Sequence, residues 1–144
     1  MFAGNSWLIW ALLSAFFAAM TAIFAKIGVQ NVDSDLATLI RTFIIIAVLS
    51  LFIAFTGKWR NPLEISSRSW LFLLLSGLAT GASWVCYFRA LKVGEAFKVA
   101  PVDKLSLVMV ALFATLFLGE RPNLREWAGL GLVAAGVVLI AWRR

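Results

Sequence analysis

The sequence predicts an all-α integral membrane protein, a bundle of five transmembrane helices, and three observations carry that expectation. Hydrophobic residues make up 62% of the 144 and charged residues 14%, against roughly 45–50% and about 25% in soluble globular chains. The apolar residues fall into five segments, each about as long as the roughly 20 residues a helix needs to cross the hydrocarbon. Glycines, prolines and most of the charges gather between those segments. Mean hydropathy of +0.95 agrees, and the bilayer is the partner such a surface fits.

The segments run over about 7–27, 36–56, 69–91, 99–118 and 124–142, and together they make one domain over residues 1–144. Helices are required because unpaired backbone groups cannot face lipid, and each segment is about twice the length of a barrel strand. Gly28, Gly57, Gly94 and Gly119 each follow one of the first four segments, where a left-handed C-cap favours glycine. Asn123 with Glu126 three residues on has the spacing of a capping box at the start of the fifth. Pro62, Pro101 and Pro122 fall in loops or first turns, where a missing N–H costs little. The apolar N-terminal stretch lacks the basic start of a signal peptide.

Composition also excludes several function classes. The net charge of +6 comes from Lys and Arg set between apolar runs, with no basic stripe and interleaved aromatics of the kind that binds nucleic acid. There is no His and one cysteine, Cys86. An intrachain disulfide, a zinc site and a His-based triad are therefore ruled out. No ATP-binding loop occurs, and no cofactor is expected.

Helix faces narrow the reading. Ser76, Thr80, Ser83 and Tyr87 recur at spacings of four, three and four, one polar stripe on the third helix. Lipid offers such groups nothing, so the stripe is expected to face the bundle interior. Trp84 lies four residues after Thr80 and three before Tyr87 and shares that face. Gly77 and Gly81 form a GxxxG pair that lets another helix approach closely.

Three cations fall within or at the edge of the segments: Lys26, Arg41 and Lys104. Lys26 and Arg41 are read either as snorkelling to the headgroups, near Asp33 and Asp35, or as ion-pair or pathway residues. Lys104 precedes an apolar run of only 14 residues, Leu105 to Leu118. A cation at bilayer depth costs roughly 3 kcal/mol on insertion scales, so it should face protein or water. A substrate-binding or pathway role stands beside a structural ion pair. Asp103, the one carboxylate read as embedded, projects about 100° away on a helix and need not pair with it.

Orientation is nearly balanced. Lys58, Arg60, Arg68, Arg121 and Arg125 fall on one side, and Arg89, Lys92, Lys98, Arg143 and Arg144 on the other. With Lys26, Arg41 and Lys104 set aside as embedded, all three toward the second side, five against five gives the positive-inside rule little bias to act on.

Several stretches resemble a known family. Tyr87-Phe88-Arg89-Ala90-Leu91-Lys92-Val93-Gly94, Ala100-Pro101 and Leu116-Phe117-Leu118-Gly119-Glu120-Arg121 are similar to the EamA repeat of the drug/metabolite transporter superfamily. Phe24 to Gly28, Leu39 to Thr42 and Trp127 to Gly136 extend the likeness along nearly the whole chain. Asp33 to Thr38 and Pro101 to Ser106 look closest to a five-helix bacterial and archaeal subgroup, which implies a prokaryotic cytoplasmic membrane. The resemblance implies a transporter built from two five-helix repeats of opposite orientation. One repeat is seen here, so a second copy, inserted upside down, would complete a two-sided pathway.

Two functions follow from that likeness. The first is a secondary transporter of a small metabolite working by alternating access, as an antiparallel homodimer or with a related repeat. The second is a non-transporting membrane subunit that assembles with a partner. No nucleophile–base pair or paired embedded carboxylates suggest an enzyme. The candidate substrate residues are Lys104, Trp84, Tyr87, Thr80 and Ser83, with Asp103, Arg41 and Lys26 as ion-pair or pathway residues. An ammonium in a low-dielectric cavity would favour an anionic substrate.

Overall fold

A computed structural model describes residues 6–142 and is helical throughout, with no strand among the described residues. Helix α1 covers Ser6–Gly28, α2 Ser34–Phe55 and α3 Ser67–Val93; α4 covers Ala96–Asp103, α5 Ser106–Phe113 and α6 Leu124–Ala141. Five stretches are long and apolar enough to cross a membrane: Trp7–Gly28, Ser34–Phe55, Ser67–Val93, Ala96–Leu118 and Leu124–Ala141. The expected fold class is therefore the observed one. Two compact units divide the chain between Val93 and Gly94.

In the first unit, α1, α2 and α3 pack at one end. Ala22 and Val29, Ser34 and Thr38, and Phe88 and Leu91 are the buried residues there. The opposite halves of the three helices stay exposed, which suits lipid or another chain. Asp33 starts α2: its Oδ1 accepts from the Asp35 and Leu36 amides at 2.9 and 3.1 Å. Acidic caps of this kind satisfy orphan amides and complement the helix dipole. Buried Thr38 disposes of its hydroxyl by donating to the Ser34 carbonyl at 2.8 Å. A short 3₁₀ turn, Pro62–Glu64, precedes α3.

In the second unit, α4 and α5 both contact α6, where Val137 is buried. The expected capping box opens α6. Asn123 Oδ1 accepts from the Glu126 amide at 3.1 Å, and Glu126 Oε2 accepts from the Asn123 amide at 2.6 Å.

The fourth span departs from a single continuous helix. It starts at Ala96, so Pro101 lies inside α4 rather than in a first turn. Proline has no N–H to return to the Phe97 carbonyl, and the ladder changes register after it. The Lys104 and Leu105 amides bond three residues back, to Pro101 and Val102 at 3.0 Å each. A π turn over Ala114–Leu118 then ends the span at Gly119.

Two glycines behave as expected and Gly28 does not. Gly57 and Gly119 have φ of 63° and 71°, the left-handed region that closes α2 and the fourth span. Gly28 is still the last helical residue of α1 rather than a residue past its end, and Gly94 lies in the bend between α3 and α4.

Candidate functional site

Charged side chains concentrate where the first unit is packed. Because α2 and α3 run in opposite directions, the first turn of α2 meets the last turn of α3. Arg89 there grips Asp35 at two points, Nε to Oδ1 at 2.9 Å and Nη2 to Oδ2 at 2.6 Å. Lys26, ending α1, donates from Nζ to the Leu91 carbonyl at 2.7 Å. Lys92 donates from Nζ to the Val32 carbonyl, tying α3 to the α1–α2 loop. Cations at a helix C-terminus satisfy its last carbonyls and its dipole. Lys26 therefore acts here as a helix-end clamp.

Arg41 behaves differently. Its first residue-level neighbours are aromatic: the guanidinium carbon lies 4.5 Å from the Trp84 ring centroid and 5.3 Å from that of Phe88. Asp33 is occupied in capping α2 and Asp35 in holding Arg89. Arg41 is half-buried, forms none of the ion pairs found among the described residues, and has the Tyr87 side chain as a further electrostatic neighbour. It stands seven residues into α2, about 10 Å along the helix. An arginine inside the hydrocarbon costs about 2.5–3.5 kcal/mol on insertion scales, whereas a cation–π contact returns about 0.5–2 kcal/mol. The ring contacts offset part of that cost and, lying against the face of the guanidinium, do not engage its in-plane N–H donors.

Beside Arg41 is a cavity of about 580 Å³ between α1 and α2. Phe24, Ile40, Ile44 and Phe88 supply apolar wall, while Thr21 and Arg41 supply polar atoms. That size falls within the usual range for small-molecule sites, about 300–1,000 Å³, and the mix of apolar wall and few polar groups fits them too. Small Ala25, Gly28 and Ala37 among its lining residues leave room between the two helices.

The other expected site residues are placed as follows. Trp84 joins Arg41. Tyr87 is half-buried, with its ring 6.4 Å from that of Phe88 in an edge-on contact. Ser76, Thr80 and Ser83 are exposed, so the chain's own fold does not cover the polar stripe as expected. Thr80 turns inward on its own backbone, donating to the Ser76 carbonyl at 2.8 Å. This lowers the cost of leaving it on the outside. No atom of another helix comes within 4 Å of where a Cβ would sit on Gly77 or Gly81.

In the second unit, Lys104 sits at the break between α4 and α5. It pairs with Asp103, Nζ to Oδ2 at 3.1 Å. The sequence left that pair open because neighbours on a regular helix diverge by about 100°. The tightened backbone at the break lets the long lysine side chain fold back. Sequence reasoning missed the Asp35–Arg89 pair, although both residues were readable as belonging to one membrane side.

The sequence matches the EamA-like transporter family over residues 5–142. The chain belongs to this family. Among similar proteins is an "Uncharacterized transporter in cobO 3'region" from Sinorhizobium sp, 62% identical over 137 residues, which are 95% of this chain and 97% of that protein. An "Uncharacterized transporter YxxF" from Bacillus subtilis is 28% identical over 141 residues, 97% of this chain and only 44% of that protein. A "Probable 4-amino-4-deoxy-L-arabinose-phosphoundecaprenol flippase subunit ArnE" from Yersinia pestis is 30% identical over 89 residues, 58% of this chain and 75% of that one. No solved structure matches the chain. This EamA-like chain is thus a multi-pass integral membrane protein with transporter-named relatives in bacteria, as a cytoplasmic-membrane protein would have.

Proposed function

We propose that the protein is a secondary transporter that moves a small metabolite across the cytoplasmic membrane by alternating access, as an antiparallel pair of identical chains. The observation that carries this reading is a five-span, EamA-like unit with exposed polar and small-residue faces. An odd number of spans puts the two ends of a repeat on opposite sides. A pathway with equivalent inward and outward states then calls for a second, inverted repeat. YxxF, more than twice as long as the stretch aligned, has room for such a pair within one chain. Here the balanced flanking cations allow insertion both ways.

The break at Pro101–Leu105 supports the same reading. Interrupted helices in transporters occur where backbone lines a cavity. Lys104 and Asp103 are proposed to line the pathway at that break, and Thr80, Ser83 and Tyr87 to line it on α3. Chemistry on the substrate is not part of the proposal, and neither is a cofactor.

A second reading has its own support: the ArnE relative is named a flippase subunit. On that reading this chain assembles with a different membrane protein. Proteoliposomes containing this protein alone separate the two. Saturable uptake of radiolabelled small carboxylates or phosphate esters supports the transporter; uptake appearing only when a second membrane protein is added supports the subunit.

A further inference from the structure

The cavity between α1 and α2 holds more chemical information than the family gives. Its walls come from Phe24, Ile40, Ile44 and Phe88, and its one charged group is Arg41. That guanidinium is backed by the Trp84 and Phe88 rings, has the Tyr87 side chain as an electrostatic neighbour, and takes part in none of the carboxylate ion pairs among the described residues. We infer that this cavity binds an amphiphilic anion, a carboxylate or a phosphate ester of net negative charge carried on an apolar body, with its head on Arg41. The inference deepens the transport reading by naming a class of cargo. It rests on that reading only for the step from bound to moved.

Each part of the proposed ligand answers a feature of the cavity. A guanidinium held by its face against an aromatic ring keeps its in-plane donors for an oxygen pair, which a carboxylate or phosphate accepts in a two-point contact. Other nearby charges do not compete for the same head. Lys26 Nζ reaches the Leu91 carbonyl, Lys92 Nζ the Val32 carbonyl, and Arg89 the Asp35 carboxylate. Asp33 is turned to the α2 amides. A cation ligand would be repelled by Arg41, and a small hydrophilic anion would leave the apolar wall unused. An apolar tail fills it, with burial stabilising in proportion to area. The head could belong to a free solute or to a bilayer lipid, since α1 and α2 are both exposed along their outer faces.

Photolabelling tests the proposal without any transport step. The protein would be placed in phosphatidylcholine nanodiscs and exposed to diazirine-bearing dodecanoic acid or the matching dodecanol. A second arm would use diazirine-bearing phosphatidylglycerol or phosphatidylcholine. The readout is labelled peptide covering residues 24–44. An acid or phosphatidylglycerol preference of about tenfold over the neutral partner is expected for one charge-assisted pair. Arg41→Gln should bring labelling to parity and Arg41→Lys should keep part of the preference. Labelling by the acid alone assigns a free amphiphile, and labelling by phosphatidylglycerol assigns a lipid. Equal labelling by charged and neutral probes, or an undiminished preference in folded Arg41→Gln, overturns the site. Should Arg41→Gln fail to fold, competition on the unaltered protein decides. Unlabelled dodecyl phosphate must displace the acid label where dodecanol does not, and equal displacement by both overturns the proposal. Anion binding without uptake would retain this site while removing the transporter reading.

Discussion

Arg89 in the last turn of α3 holds Asp35 in the first turn of α2 through two parallel bonds, at 2.9 and 2.6 Å. Both side chains are partly exposed, at 62% and 48%. The pair therefore locks the relative register of two helices more than it adds energy to a core. With Lys26 on the Leu91 carbonyl and Lys92 on the Val32 carbonyl, it closes the end of the unit on which the Arg41 cavity depends.

Arg89→Asp or Asp35→Arg alone should lower the thermal midpoint of the purified protein, because each leaves two like charges facing. Combining both substitutions should recover most of the loss. A combined variant no more stable than either single one would show that the bonded geometry contributes nothing to the packing.

The cavity admits a steric test that leaves Arg41 in place. Gly28 lines it, and nothing lies within 4 Å of where its Cβ would be. Gly28→Leu should fold normally and lose most binding of the dodecanoic acid probe, by about tenfold or more if the tail is displaced. Unchanged binding would place the ligand elsewhere.

The fourth span yields a prediction about motion. Proline is about 3 kcal/mol worse than alanine in a helix interior, and Pro101 is near the end of α4, so Pro101→Ala should recover a fraction of that. Thermal stability should rise while uptake falls, as the break at Lys104 straightens. Uptake at the normal rate in a stabilised variant would remove the break from the transport cycle.

The fold was legible because hydrophobic length is a coarse signal that bilayer thickness enforces. Finer features depended on where a helix begins. Placing the fourth segment at residue 99 puts Pro101 in a first turn; the observed start at Ala96 puts it where it breaks the ladder. Gly28 looks like a left-handed cap in sequence, yet α1 runs on to include it. The polar stripe pointed to an interior that three helices packed at one end do not provide. Arg41 was recognisable as an embedded cation, but its aromatic backing comes from α3 and has no local pattern. Trp84 was singled out for its face, while Phe88, beneath the same guanidinium, was hidden by its ordinary apolar character.

Gly77 and Gly81 separate folding from assembly. With open space at both Cβ positions, Gly77→Leu and Gly81→Leu should leave the single chain folded, and helix propensity even favours them. If α3 meets a partner helix closely, the double variant should lose the dimer in crosslinking within nanodiscs. An intact dimer would move the interface to another face.

Cysteine accessibility tests the central claim, a pathway formed by two inverted copies, most directly. Lys58 follows α2, and Val93 ends α3 with 90% of its surface exposed. The odd number of spans and the helix order put the two positions on opposite membrane sides. Single cysteines would be introduced at each, on a Cys86→Ser background, and labelled in intact cells with a membrane-impermeant maleimide before and after permeabilisation. The account predicts that each position labels partly from outside and partly only after permeabilisation. Labelling of one position wholly from outside and the other wholly from inside would contradict it.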